Sequence, residues 1–169
     1  MRSGVHPHDA ARSLFGGRGS QGNGAAMRVA PVAVRYADDA AALAEAARAL
    51  VTTTELRDAL STARGLLERS VEPAELAARL GNRATGLESA PAAIYCVAAH
   101  ESVETAITFA VRCGGDTDTI GAMAGVVAAA APGVSAIPHR WLAALEERPK
   151  GRGHVQRLAD RLVAARERG

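Results

Sequence analysis

The chain has 169 residues, 48% of them hydrophobic but only 3% aromatic, with a net charge of +2 and a pI near 8.8. That length suits one domain with a real core, and the core must be built mainly from Ala, Leu and Val. The positive charge is nearly all Arg, with Lys150 the only lysine, and it is interspersed with Asp and Glu. No basic block and few stacking aromatics are present, so nucleic acid is not expected as a partner. No apolar run is long enough to span a bilayer, and His6, His8, Asp9 and Arg12 interrupt any leader-like stretch, so no membrane is expected and the location read from the sequence is cytoplasmic.

Apolar spacing is helical almost everywhere. Ala11, Leu14 and Phe15 fit one face of a short first helix, and Leu43, Ala46, Ala47 and Leu50 form a buried stripe. Thr52-x-x-Glu55 reads as a capping box for a helix whose inner face carries Leu56, Leu60, Ala63 and Leu67. Pro73 suits the first turn of the next helix, and Gly81 its stop after Leu80. Ser89 and Pro91 suggest the start of a helix bearing Ile94, Tyr95 and Val97. Ser102 can cap another, with Val103, Ala106, Ile107 and Ala110 inward. A small-residue helix follows over Ile120–Ala131, where Gly121, Gly125 and Ala128 permit close packing and Pro132-Gly133 ends it. Trp141, Leu142 and Leu145 mark a short helix, Pro149–Gly153 a loop, and Val155, Leu158 and Leu162 a last helix. No segment shows sustained period-two alternation, so the fold class is all-α. Cys96 and Cys113 lack metal-site spacing and read as free buried thiols.

Two stretches carry chemistry. Gly114-Gly115-Asp116-Thr117-Asp118-Thr119-Ile120-Gly121-Ala122-Met123-Ala124-Gly125 sets two carboxylates and two hydroxyls between a Gly-Gly turn and a helix. These are the hard oxygen donors that Mg²⁺ or Mn²⁺ prefers, and a helix N-terminus beyond them offsets their negative charge. Taken alone, Asp-x-Asp-Thr before a helix is most often a helix cap. Gly16 to Gly24 is Gly-rich, with Ser20 and Asn23 as side-chain donors, and it runs into a helix, an arrangement able to point N–H groups at an anion. Alone, such a loop is also a flexible linker.

Together the two stretches resemble the ADP-ribosylglycohydrolase family. The first resembles its C-terminal metal motif, and Ser-x-Gly-Asn-Gly-Ala-Ala-Met-Arg from Ser20 to Arg28 is similar to its ADP-ribose-binding loop, in the same order. The resemblance implies a compact orthogonal helical bundle, incomplete here, with residues 1–169 forming the C-terminal part of the family domain. Within it lie a leading helix over 1–15, a ligand loop over 16–24 and the metal motif with its helix over 114–131. It implies a metal-dependent hydrolase that cleaves the N- or O-glycosidic bond between ADP-ribose and a modified protein or small molecule. Asp116, Asp118 and Thr119 would hold Mg²⁺ or Mn²⁺, with two ions in an intact family site and one or none here. Gly19, Ser20, Gly22, Asn23 and Gly24 would contact ADP-ribose or the ADP-ribosylated substrate.

Three departures accompany the match. The family's Thr-Asp-Asp motif has no counterpart before Phe15, so no catalytic residue is assigned. The family's His-containing segment is missing where Leu50-Val51-Thr52 runs straight into Thr53-Thr54-Glu55, while His6, His8, His100 and His139 read as ordinary surface or helix-end residues. Gln21 stands where the family commonly has an aromatic. The alternative reading is therefore a non-catalytic ADP-ribose-binding or purely structural remnant. A bundle with uncovered helix faces is also expected to self-associate.

Overall fold

A computed structural model describes residues 22–27, 54–130 and 132–166, and the regular elements among them are all helical. They run α1 (Gly24–Met27), α2 (Thr54–Leu66), α3 (Pro73–Leu80), α4 (Gly86–Ala98), α5 (Val103–Arg112), α6 (Thr117–Ala129), a 3-10 turn (Val134–Ala136), α7 (His139–Ala144) and α8 (Arg152–Arg166). The sole extended pairing among them is an isolated antiparallel bridge between Gly22 and Thr85. The all-α expectation holds for these residues. The expected helices around Leu14 and Leu43–Leu50, and Thr52 of the expected capping box, lie outside them.

Local chemistry sets the bounds of α3 and the start of α5 where the sequence put them, whereas α8 begins at Arg152, inside the loop expected over Pro149–Gly153. Pro73 opens α3, where its missing N–H costs nothing, and Gly81 closes it, its N–H reaching Ala77 O at 2.9 Å. Ser102 and Thr105 form a reciprocal capping box on α5, with Thr105 N to Ser102 Oγ at 3.1 Å and Ser102 N to Thr105 Oγ1 at 3.3 Å.

Four expectations need correction. Helix α4 starts at Gly86, not at Ser89 or Pro91, because the Thr85 carbonyl already accepts from the N–H groups of Glu88 and Ser89. Pro91 therefore sits inside the helix, with its ring wholly buried. Helix α6 starts at Thr117 rather than Ile120, since the Ile120 N–H already bonds the Asp116 carbonyl at 3.0 Å. Helix α2 ends at Leu66, so Leu66 takes the buried position and Leu67 turns outward, 41% exposed. In α8 the stripe fails to bury, with Val155 60% and Leu158 48% exposed.

Packing centres on α4, which touches α1, α2, α3, α5 and α6. Its Ala92, Ala93, Tyr95 and Cys96 meet Leu66, Val71, Leu76, Leu80, Ile120 and Ala124 in one buried cluster. Burying a side chain such as Leu76 or Ile120 completely stabilises the fold by about 1.5–3 kcal/mol. Helices α5 and α6 lie closest, as the small residues imply: a Cβ on Gly125 would stand 2.9 Å from Ile107 Cδ1, and one on Gly121 3.6 Å from Val111 Cγ2. This tight pair delivers the turn between them, Cys113 to Asp116, to one end of α4.

Candidate functional site

The α5–α6 turn is made by two consecutive glycines, with φ of 71° at Gly114 and 68° at Gly115. L-residues resist this left-handed conformation, so the pair reverses the chain within two residues. It leaves Asp116 at the N-cap position of α6, with Asp118 and Thr119 in the first turn beyond. Thr119 is buried, Asp116 half-buried and Asp118 exposed.

The cap reading of this motif meets a direct answer. Asp116 occupies the N-cap, yet its carboxylate accepts no bond from the α6 backbone. It instead accepts from Asn23 Nδ2 at 2.7 Å, across 93 residues of sequence. That short bond from a neutral amide to a carboxylate is of the stronger, charge-assisted kind. Asn23 is itself buried, and its backbone N–H donates to Ala84 O at 3.3 Å, beside the Gly22–Thr85 bridge. Helix α1, which starts at Gly24, rests on α4 and α6. The end of the Gly-rich stretch, Gly22–Gly24, and the acidic turn, far apart in the chain, thus meet at the N-terminal ends of α4 and α6.

Of the sequence-assigned residues, Gly22, Asn23, Gly24, Asp116, Asp118 and Thr119 fall in this neighbourhood, and Gly19 and Ser20 lie outside the described residues. The donors assigned at the turn are the carboxylates of Asp116 and Asp118 and the Thr119 hydroxyl. Among the described residues no three His, Cys, Asp or Glu side chains gather as a metal-binding group. His100 stays with the core, its Nδ1 at 2.8 Å from Cys96 O and its ring 4.6 Å from that of Phe109. His139 is exposed at the start of α7.

One residue escaped the sequence reading. Asn82, in the loop between α3 and α4, accepts the Asp116 N–H on its backbone oxygen at 2.8 Å and donates from Nδ2 to Cys113 O at 3.0 Å. The only cue was its place after the α3 stop, Leu80-Gly81-Asn82, where Asn is common simply as a turn residue. The loop is braced further on, where the Glu88 carboxylate accepts from the Arg83 backbone N–H and from its Nε, both at 2.9 Å. That guanidinium holds the Glu88 carboxyl below the usual carboxylate range. Cys113, the residue before the turn, is a free buried thiol, as is Cys96. Cys113 Sγ donates to the Phe109 carbonyl at 3.3 Å, and the neighbouring Cys113 thiol together with burial pushes the Cys96 thiol up.

Comparison with known proteins bears on this neighbourhood. The chain is 27% identical over 221 residues to ADP-ribosylhydrolase ARH3 of Danio rerio, a match covering 89% of this chain and 60% of that protein. That match is longer than the chain itself, so the relative carries residues with no counterpart here. To ADP-ribosylhydrolase ARH3 of Homo sapiens it is 35% identical over 85 residues, 44% of this chain and 23% of that one. To an uncharacterized protein of Archaeoglobus fulgidus it is 36% identical over 93 residues, 55% of this chain and 29% of that one. The chain thus spans no more than about three-fifths of the length of these relatives. The sequence model of the ADP-ribosylglycohydrolases matches residues 1–55 and 47–169. With matches that run through both the Gly-rich stretch and the acidic turn, the chain belongs to the ADP-ribosylglycohydrolase family.

Proposed function

We propose that this chain binds ADP-ribose at the junction of Gly22–Gly24 with Asp116–Thr119 and serves the hydrolytic removal of ADP-ribose from a modified protein or small molecule. The observation that carries the reading is the Asn23–Asp116 hydrogen bond, which ties the ligand-type loop to the metal-type turn. Asn23 orients the Asp116 carboxylate, and the lack of side chains at Gly22 and Gly24 lets a ligand approach the backbone there closely. Asp116, Asp118 and the Thr119 hydroxyl form an all-oxygen donor set that fits one Mg²⁺ or Mn²⁺ with water in the remaining positions. A cation held there would supply Lewis acidity and orientation to the ribose hydroxyls. The net reaction adds water across the bond between the anomeric carbon and its N or O substituent, giving free ADP-ribose and the unmodified acceptor.

Calorimetric titration of ADP-ribose into the chain, with and without Mg²⁺, tests the reading beside an Asp118→Ala control. Metal-dependent binding that the substitution removes is the expected result. Absence of binding in every sample overturns it. A second reading, binding without turnover, is favoured by the gathering of only two carboxylates at the turn among the described residues. It predicts that the chain binds ADP-ribose but releases none from modified protein, and measurable release rules it out. The chain further self-associates through its apolar helix faces, a reading supported by exposed Val126 and Val127 on α6 and Val155 and Leu158 on α8. A concentration-independent monomer in sedimentation excludes that part.

A further inference from the structure

The five residues Gly81–Thr85, between α3 and α4, hold both halves of the candidate site at once. Asn82 O takes the Asp116 N–H, Ala84 O takes the Asn23 N–H, and Thr85 pairs with Gly22. Asn82 grips the glycine turn at its two ends, because its side chain donates to the Cys113 carbonyl before Gly114 while its backbone accepts from the amide after Gly115. The fit leaves no spare room: a Cβ on Gly115 would lie 2.1 Å from Asn82 O and 2.5 Å from Asn82 Cγ.

We propose that Asn82 is a positioning residue, which fixes the Asp116 carboxylate where Asn23 and a ligand can use it. The role rests on the function proposed above and adds a residue to it. Asparagine meets the need because the position requires a side-chain donor toward one carbonyl and no added charge beside Asp116 and Asp118. Aspartate has nearly the same shape, but it would present an acceptor to the Cys113 carbonyl and a further negative charge to the turn. Alanine removes the grip on Cys113 while leaving the backbone acceptor in place.

The experiment measures ADP-ribose affinity in the presence of Mg²⁺ for the full chain, Asn82→Asp, Asn82→Ala and the core truncation Leu66→Ala, each with its melting temperature. Both Asn82 substitutions are expected to weaken binding about tenfold, the factor set by roughly one lost hydrogen bond. Leu66→Ala, although destabilised at least as much, is expected to bind within about twofold of the parent, since its loss is stability and not position. Asn82 variants that bind like the parent overturn the proposal, as does an equal loss in Leu66→Ala. If the parent itself fails to bind, the functional reading falls, and hydrogen exchange then decides on Asn82 separately. The Asp116 amide should exchange at least about tenfold faster in Asn82→Ala while core amides of α5 stay protected. Unchanged exchange at Asp116 overturns the role of Asn82 as well.

Discussion

Replacing Gly115 with alanine tests the turn at its tightest point. The backbone there has φ of 68°, and holding an L-residue in that region costs about 1–2 kcal/mol. The new Cβ would also sit 2.1 Å from Asn82 O, far inside contact distance, and the obstructing atom is backbone that no rotamer change can move aside. The Asn82 carbonyl must retreat, and losing its bond to Asp116 N adds about 0.5–1.5 kcal/mol. The total is about 1.5–3.5 kcal/mol, which for a chain of this size lowers the melting temperature by roughly 3–14 °C. Gly114 supplies an internal comparison. Its φ is 71°, but a Cβ there meets nothing closer than Asn82 Nδ2 at 3.7 Å, an ordinary contact. Gly114→Ala should therefore show only the conformational cost, about 1–2 kcal/mol. Thermal melts followed by circular dichroism on both variants provide the measurement. Losses equal to within about 1 °C would refute the claim that Asn82 closes on Gly115, since conformational strain alone is shared by the pair.

Three further outcomes are expected. Asn23→Leu keeps the size of the side chain but removes the donor to Asp116, leaving a half-buried carboxylate without this partner. ADP-ribose affinity in calorimetry should fall about tenfold or more, and unchanged affinity would dissolve the link between loop and turn. Ser102→Ala removes the arm of the α5 capping box in which Ser102 Oγ accepts from Thr105 N, while its backbone N–H can still reach Thr105 Oγ1, and should cost about 1 kcal/mol, read as a melting shift of roughly 2–4 °C. A stable Ser102→Ala variant would mean that tertiary packing alone fixes the start of α5. For Glu88, the hydrogen bond from Arg83 holds the folded carboxyl below its ordinary value of 4.5. The unfolded chain therefore takes up that proton first, and the stabilisation is complete above that value and lost as pH falls through the folded pKa. The melting gap between the parent chain and Glu88→Gln should be open at neutral pH and narrow in acid, whereas a gap independent of pH would contradict the pairing.

Boundaries governed by nearest neighbours were legible in the sequence. Ser102, Pro73 and Gly81 act through their own backbone or one turn away, so residue identity is enough. The start of α4 was not, because the rule that puts proline in a first turn was overridden by packing. Pro91 is fully buried among the core side chains, which offsets the missing rung of the helix. Leu66 against Leu67 was a choice between adjacent residues that turns on where α2 stops, and Thr54–Leu66 carries no strong stop signal. At the site, the residue types of both motifs were readable, and so was the resemblance of each to a family segment. Their meeting through Asn23 and Asp116 was not, since no periodicity reports a contact across 93 residues. Asn82 was hidden for a different reason. Half of its part is played by a backbone oxygen, which every residue type possesses.

The span of that contact also bears on how the molecule is made. At about 5–20 residues per second, Asp116 leaves the ribosome roughly 5–20 s after Asn23. In that interval α2 to α5 can dock on one another through nearer neighbours, while Gly22 and Asn23 have the α3–α4 loop to pair with but no carboxylate to hold. The small-residue helix α6 must then slide its glycines under Ile107 and Val111 to bring the turn home. Loop closure over so many residues is the slow, entropically opposed kind of step. Nascent chains halted before α6 would consequently lack Asp116 as the partner of Asn23, and the junction of loop and turn would assemble only once α6 has been made.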